Sequence, residues 1–261
     1  MNEKYVDMLD TIILLAKQAG EEIMTEYQRD HQGSPKADGS PLTVADLKAD
    51  ELITKGLQKN YPSIPIVSEE QSNKRSPESL QNQEFFLVDP LDGTKEFIKK
   101  NGEFTVNIAL IKNATPILGV VHAPALNETW YGVVGVNAKK ENANQETSVL
   151  HAKSPNNPNG LVITGSRSHG QTQDMDNWIG ERKIAEVILC GSSIKLCRIA
   201  EGVVDAYPRL APTMEWDTAA AHAVLAASGG NIQTLEGEEL TYCKDSFRNP
   251  FFIATGRDWK E

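Results

Sequence analysis

Cysteine is scarce: Cys190, Cys197 and Cys243 are the only three in 261 residues. Their spacing matches no zinc-binding pattern and no regular disulfide framework, so reduced thiols and a cytoplasmic setting are expected. No apolar run approaches ~18 residues, which argues against a membrane-spanning helix. The first residues scatter Glu3, Asp7 and Asp10 where a secretion signal would carry a basic start and an apolar stretch. Positive charge is in deficit as well. Lys plus Arg number 26 against 36 Asp plus Glu, a formal net charge of -10, which is the wrong sign for wrapping duplex nucleic acid. A phosphorylated ligand therefore needs metal ions or a few placed cations, because nearby charges set the field in a pocket more than the net sum does. No internal repeat is visible.

What is present suffices for a core. With 39% apolar and 24% charged residues, the chain can fold as one large or two interlocked domains. Val6, Leu9, Ile13, Ala16, Ile23 and Tyr27 recur mostly at three- or four-residue intervals and predict an amphipathic helix over 6–27. A Gly-, Ser-, Pro- and Asp-rich loop follows over 31–42. Thr43 then caps a second helix carrying Leu47, Leu52, Ile53 and Leu57 and closed by Tyr61-Pro62. Short apolar runs at 64–68 and 85–89 each stop at carboxylates, so two strands deliver acids at their ends. Residues 90–94 read as a turn, and 104–111, 117–122 and 130–136 as successive strands of an antiparallel sheet. Residues 137–160 turn polar and Asn-rich, the composition of a subdomain boundary or a mobile insertion. Beyond them strands are expected at 161–166, 186–189, 203–207 and 251–254. Helices are expected near 171–179, at 193–200 and, rich in Ala, at 218–227.

The densest chemical signal is Asp89-Pro90-Leu91-Asp92-Gly93-Thr94, two carboxylates three residues apart where a strand gives way to a turn. Both can face one point. Hard divalent cations take oxygen ligands and borrow further oxygens from a substrate phosphate. An ordinary Asp-Gly surface turn has the same local composition. Glu69 and Glu70 follow one strand, and Asp217 opens the Ala-rich helix. Gathered together, Glu69, Asp89, Asp92 and Asp217 would repel strongly unless cations neutralised them. Asp217 on its own also suits the helix dipole as an N-terminal acid.

Asp89-Pro90-Leu91-Asp92-Gly93-Thr94 with Phe97 resembles the D-P-x-D-G-T-x-x-F signature of the lithium-sensitive, Mg²⁺-dependent phosphatases that include the inositol monophosphatases. Trp216-Asp217-Thr218-Ala219-Ala220 resembles their second signature, W-D-x-A-A, with Ala221 where that family usually has Gly. The likeness runs over nearly the whole chain. It implies an α/β (α+β) layered sandwich, αβαβα, with the site between two parts. The first, 1–140, is α+β and carries Asp46, Glu69 and the Asp89 to Thr94 loop; the second, 141–261, is α/β and carries Gly191 to Lys195 and Trp216 to Ala220. The resemblance further implies two or three Mg²⁺ held by Glu69, Asp89, Asp92, Asp217 and the Leu91 carbonyl. It implies an Asp46 and Thr94 pair that orients and deprotonates the attacking water, and substrate contacts from Gly93, Thr94 and Asp217. Locally, Thr43-x-x-Asp46 is also a capping-box-like pattern.

Residues 92–97, 101–108 and 191–195 are similar to the bacterial CysQ type of 3'(2'),5'-bisphosphate nucleotidase within this superfamily. The reaction so implied is hydrolysis of adenosine 3',5'-bisphosphate (PAP) to AMP and phosphate in sulfur assimilation and nucleotide recycling, with PAPS as a related substrate. Inositol monophosphate or a sugar bisphosphate is the alternative substrate. The chain would act in the cytoplasm or peripherally on the cytoplasmic face of the inner membrane, as a monomer or homodimer, with no nucleic-acid partner. An Asp nucleophile is disfavoured because the acids are spaced D-x-x-D rather than D-x-D, so no covalent enzyme intermediate is expected. A relative that binds nucleotides without turnover would keep the same pocket, but every expected metal ligand is present.

A bisphosphate carries a second phosphate that the metals do not hold. Gly191, Ser192 and Ser193 precede a helix whose free amides suit such a group, with Lys195 one turn in. Arg209 follows the strand at 203–207 and could supply a fork; Lys36 and His169 are further contacts by resemblance. The plainer readings are Lys36 and Lys195 as solvated surface charges, Arg209 as a partner of Glu215, and His169 as a loop cap.

Overall fold

The computed structural model describes residues 2–28, 34–35, 41–42, 44–74, 76–80, 82–167 and 173–259. Lys36, Thr43 and His169 lie outside the described residues. Helix α1 (Glu3–Tyr27) is followed by a short ribbon of β1 (Ser34–Pro35) and β2 (Pro41–Leu42), and then by helix α2 (Val44–Asn60). A seven-stranded sheet comes next, in the order β3 (Ile66–Ser68), β4 (Glu84–Asp92), β5 (Thr105–Lys112), β6 (Thr115–Ala123), β7 (Glu128–Val133), β8 (Asn137–Glu141) and β9 (Thr147–Val149). Short helix α3 (Thr94–Ile98) interrupts it after β4. β3 runs parallel to β4 and every later neighbour is antiparallel. The second part holds β10 (Leu161–Ser166), α4 (Gln173–Ile179), β11 (Ile184–Cys190), α5 (Ile194–Ala200), β12 (Ala206–Arg209), α6 (Ala219–Ser228), β13 (Asn231–Thr234) and β14 (Phe252–Thr255). Its five strands lie in the order β11-β10-β12-β14-β13.

The period-two alternation of β4 explains the layers. Phe86 and Val88 face a core shared with Ile12, Ile23, Ile53 and Leu57 of α1 and α2, while Phe85 and Leu87 face a core shared with Ile199 of α5 and Val224 of α6. A strand buried on both faces reads as a continuous apolar run, which is why residues 85–88 show no polar alternation. Phe252 and Ala254 of the second sheet close the far side of the α5 and α6 layer, and Met175 of α4 covers Ile163 and Ala206 beyond it. The layers thus run α-β-α-β-α. Each fully buried Ile, Leu or Phe contributes about 1.5 to 3 kcal/mol.

α6 lies unusually close to the first sheet. A Cβ on Gly119 of β6 would stand 2.1 Å from the Ala220 carbonyl oxygen and 2.9 Å from Ala223 Cβ. Gly119→Ala is therefore expected to lower stability by about 1 to 3 kcal/mol, the usual cost of overpacking, seen as a lower melting temperature. An unchanged melting temperature would show that α6 can slide away freely.

Several sequence expectations are corrected. Residues 137–160 are not a loop throughout: β8 and β9 extend the first sheet, because Ala138 packs inward and Lys140 lies 5.1 Å from the centre of the Trp130 ring, paired with Glu128 and Glu201. The strand expected at 203–207 is Ala206–Arg209, since Val203 and Val204 donate their amides to the Arg198 carbonyl and finish α5. On α2 the inward side is Ala45, Ala49, Ile53 and Leu57, while Leu47 is 49% exposed. The supposed turn at 90–94 is largely strand, with Thr94 already opening α3. β13 was not foreseen.

Candidate active site

Sheet register delivers the acids. Ser68 of β3 pairs in parallel with Val88 of β4, so the next residue of each, Glu69 and Asp89, emerges at the same end. Asp89 and Asp92 would point to opposite faces of a regular strand. The ladder with β5 slips between them, Asp89 opposite Asn107 but Asp92 opposite Thr105. That extra residue is a bulge at Pro90-Leu91, the device that re-aims a side chain at a strand end. The Leu91 amide donates to Asp89 Oδ1 at 3.0 Å, and Thr94 Oγ1 donates to the Leu91 carbonyl at 3.4 Å. Gly93 takes φ 92, a left-handed conformation, and a Cβ there would meet the Glu103 carbonyl oxygen at 3.2 Å.

Asp217 arrives from the other part, just before α6. The Met214 amide donates to its Oδ2 at 2.9 Å. Ser193 Oγ donates to its carbonyl at 2.6 Å, with Asp92 Oδ2 3.2 Å from the same hydroxyl, and Asn107 Nδ2 donates to Ser193 Oγ at 3.1 Å. Asp89, Asp92 and Asp217 each offer a carboxylate oxygen within 4.8 Å of the others. Glu69 is not in that tight group, but it is the foremost charge acting on Asp89, with Asp46, buried on α2, also contributing.

Burial, then repulsion from Glu69, Asp92, Asp217 and Asp46, holds the Asp89 carboxyl well above the ordinary carboxylate range. Asp217 is pushed up to about 8 by burial first and Asp92 second, with the Met214 amide opposing. An all-oxygen, mutually repelling set of this kind is the donor set a hard divalent cation fits.

The cationic side chains Lys195 and Arg209 line the same cleft of about 140 Å³ as Asp92, Gly93, Ser193 and Asp217. Lys195 is not a solvated surface charge: it is buried, and its Nζ donates to the carbonyls of Ser192 at 2.6 Å and Cys190 at 3.3 Å. Arg209 does not pair with Glu215. Its Nε and Nη2 donate to the carbonyls of Ala211 and Pro212 at 3.0 and 2.8 Å, and Nη1 to Tyr207 Oη at 3.3 Å. Glu215 instead takes Lys244 Nζ and the amides of Cys243 and Lys244. Two of the three amides expected to be free are engaged: Gly191 donates to Glu103 Oε2 at 2.8 Å, and Ser193 to Ser192 Oγ at 2.6 Å.

Glu103, Arg167, Thr105 and Asn107 are among the residues here that had no role from sequence. Glu103 receives a two-pronged contact from Arg167 Nε and Nη2, both at 2.6 Å, as well as the Gly191 amide, and so ties the first sheet to the turn before α5. Thr105 and Asn107 are wholly buried, with Thr105 Oγ1 donating to Asn107 Oδ1 at 3.1 Å. The available signal was their spacing: two polar residues at i and i+2 inside an apolar strand share one face.

The profile of the inositol monophosphatase family matches residues 4–251. A 3'(2'),5'-bisphosphate nucleotidase CysQ of Salmonella typhimurium is 41% identical over 253 residues, covering 95% of this chain and 99% of its own. The CysQ nucleotidase of Escherichia coli K12 is 42% identical over 250 residues, covering 94% and 98%. Among solved structures, CysQ from Bacteroides thetaiotaomicron, a bacterial member of the inositol monophosphatase family, superposes with a TM-score of 0.82 at 38% identity, covering 95% of this chain and 97% of its own.

Proposed function

The chain belongs to the inositol monophosphatase family, and from that premise we propose that it is a Mg²⁺-dependent phosphomonoesterase hydrolysing adenosine 3',5'-bisphosphate to AMP and phosphate. The CysQ relatives support phosphatase action on bisphosphate nucleotides. One observation carries the rest: the acids Asp92 and Asp217 and the cations Lys195 and Arg209 line the same cleft. Two phosphates on one nucleotide need these two kinds of wall.

Glu69, Asp89, Asp92, Asp217 and the Leu91 carbonyl would hold the metal. Bound there, Mg²⁺ would supply a Lewis acid for the phosphoryl oxygens and lower the pKa of a water at neutral pH. Thr94 orients the attacking water and Asp46 accepts its proton. The water oxygen bonds to phosphorus in line as the bond to the ribose 3'-oxygen breaks, and the leaving oxygen takes a proton from solvent. Gly93 leaves room for the phosphate beside its own backbone. Ser192, Lys195 and Arg209 hold the phosphate that is not cleaved, and Lys36 and His169 are further candidates for it. No described helix is long and apolar enough to cross a membrane; cytoplasmic action or a peripheral place on the inner membrane, within sulfur assimilation, completes the reading.

Phosphate release from adenosine 3',5'-bisphosphate, inositol monophosphate and fructose bisphosphate, at equal concentration and with Mg²⁺ titrated, tests the proposal. The nucleotide is expected to be hydrolysed fastest, and preference for inositol monophosphate would sink the nucleotidase assignment. Lys195→Ala and Arg209→Ala are expected to weaken binding of bisphosphates by about 1 to 3 kcal/mol more than that of monophosphates, the worth of a charge-assisted contact. Equal losses for both substrate classes would remove the second phosphate subsite.

A further inference from the structure

Asp50 lies one helical turn beyond Asp46 on α2 and is 6% exposed. Its two oxygens take different donors: Ser68 Oγ bonds to Oδ1, and Gln71 Nε2 bonds to Oδ2 at 2.6 Å. Ser68 and Gln71 are the residues on either side of Glu69-Glu70. The segment Glu69–Lys74 is a 3-10 turn kinked at Gln71, whose φ of -129 and ψ of 16 are not helical. The helical turn is therefore broken at Gln71, one residue past Glu70. β3 ends at Ser68, so the sheet ladder stops one residue short of Glu69.

We infer that Asp50 is a positioning residue for the metal site: it clamps both ends of the Glu69-Glu70 segment to α2, setting Glu69 beside Asp89, and so tunes metal affinity without touching the metal. The inference rests on the reading of Glu69 as a metal ligand. Outer groups that orient ligands typically govern affinity by about 10- to 100-fold. A carboxylate suits the place because both neighbours donate. An amide can serve almost as well, since the Ser68 hydroxyl can rotate and the Gln71 amide can flip to accept.

The test is Mn²⁺ binding to metal-free protein, followed by paramagnetic resonance of the free ion, with thermal melting alongside. The proteins are wild type, Asp50→Ala, Asp50→Asn, Glu69→Gln and the double variant Asp50→Ala with Glu69→Gln. Asp50→Ala is expected to weaken Mn²⁺ binding about 10- to 100-fold, and Asp50→Asn to restore most of it. On the Glu69→Gln background Asp50→Ala should add little, because two changes acting through one ligand are not additive. Unchanged affinity in Asp50→Ala, or a full additional loss in the double variant, overturns the inference. If Asp50→Ala fails to fold, Gln71→Met removes one of the two bonds and leaves the carboxylate; a weaker Mn²⁺ constant supports the clamp and an unchanged one refutes it. Wild-type affinity in Glu69→Gln would overturn the ligand reading of Glu69, and this inference with it.

Discussion

Asp89→Asn is expected to cost at least about 100-fold in phosphate release, the upper end of what losing even an outer partner of a metal costs, while leaving the metal-free protein no less stable than wild type. The two outcomes have one cause. The Asp89 carboxyl is buried and faces Glu69, Asp92, Asp217 and Asp46, all of its own sign. Asparagine keeps the shape and keeps an oxygen to accept the Leu91 amide, which bonds to Asp89 Oδ1, so the bulge survives. What disappears is the charge, which on the proposed reading is a ligand when metal is bound and which, without metal, repels the neighbouring acids. Most substitutions of buried residues destabilise by about 1 kcal/mol or more, so a neutral or positive change at this position discriminates. Calorimetry of the metal-free variant beside a phosphate-release assay reads both. Retained turnover would remove Asp89 from the metal set. A loss of more than about 2 kcal/mol would mean that its charge is satisfied within the protein after all.

The D-x-x-D spacing was legible in the chain, but the reason both acids share a side was not. It lies in the register slip against Thr105 and Asn107, a property of two strands together. The lysine-bearing strand β8 was missed on the same ground: Lys139 and Lys140 look solvent-bound until Trp130, Glu128 and Glu201 are placed beside Lys140. On α2, hydrophobicity favours Leu47 as the inward residue. Packing of α2 selects Ala45 and Ala49 instead, both wholly buried, because close approach rewards small side chains over apolar ones. Asp50 and Glu103 are acids like the many that face water, and only their distant partners distinguish them. Asp50 did leave one trace, a carboxylate four residues after Asp46 and so on the same helical side.

Stability of the metal-free protein should fall as pH rises from about 6.5 to about 8, and saturating Mg²⁺ should remove that fall. Asp217 has its folded value raised from 3.8 to about 8, and Asp89 is raised in the same direction. Between those limits the folded state holds protons that the unfolded chain has already released, so stability declines with pH, by at most about 1.4 kcal/mol per pH unit for each such proton. Two buried histidines pull the other way: burial lowers His122 from 6.5 to about 4 and His222 from 6.5 to about 3. Over that span the unfolded chain binds the extra protons and stability rises with pH. Glu84, lowered from 4.5 to about 2, adds a rise that is complete by its ordinary value. Below about 6.5 the opposing slopes offset one another, and above it only the acids remain. Metal bound to the carboxylates holds them ionised, so the folded protein has no extra proton to lose and the slope vanishes. Urea unfolding at pH 6.5 and pH 8, with chelator and with Mg²⁺, measures it. A metal-free protein equally stable at both values would show that the acids of the cluster do not crowd one another as the geometry places them.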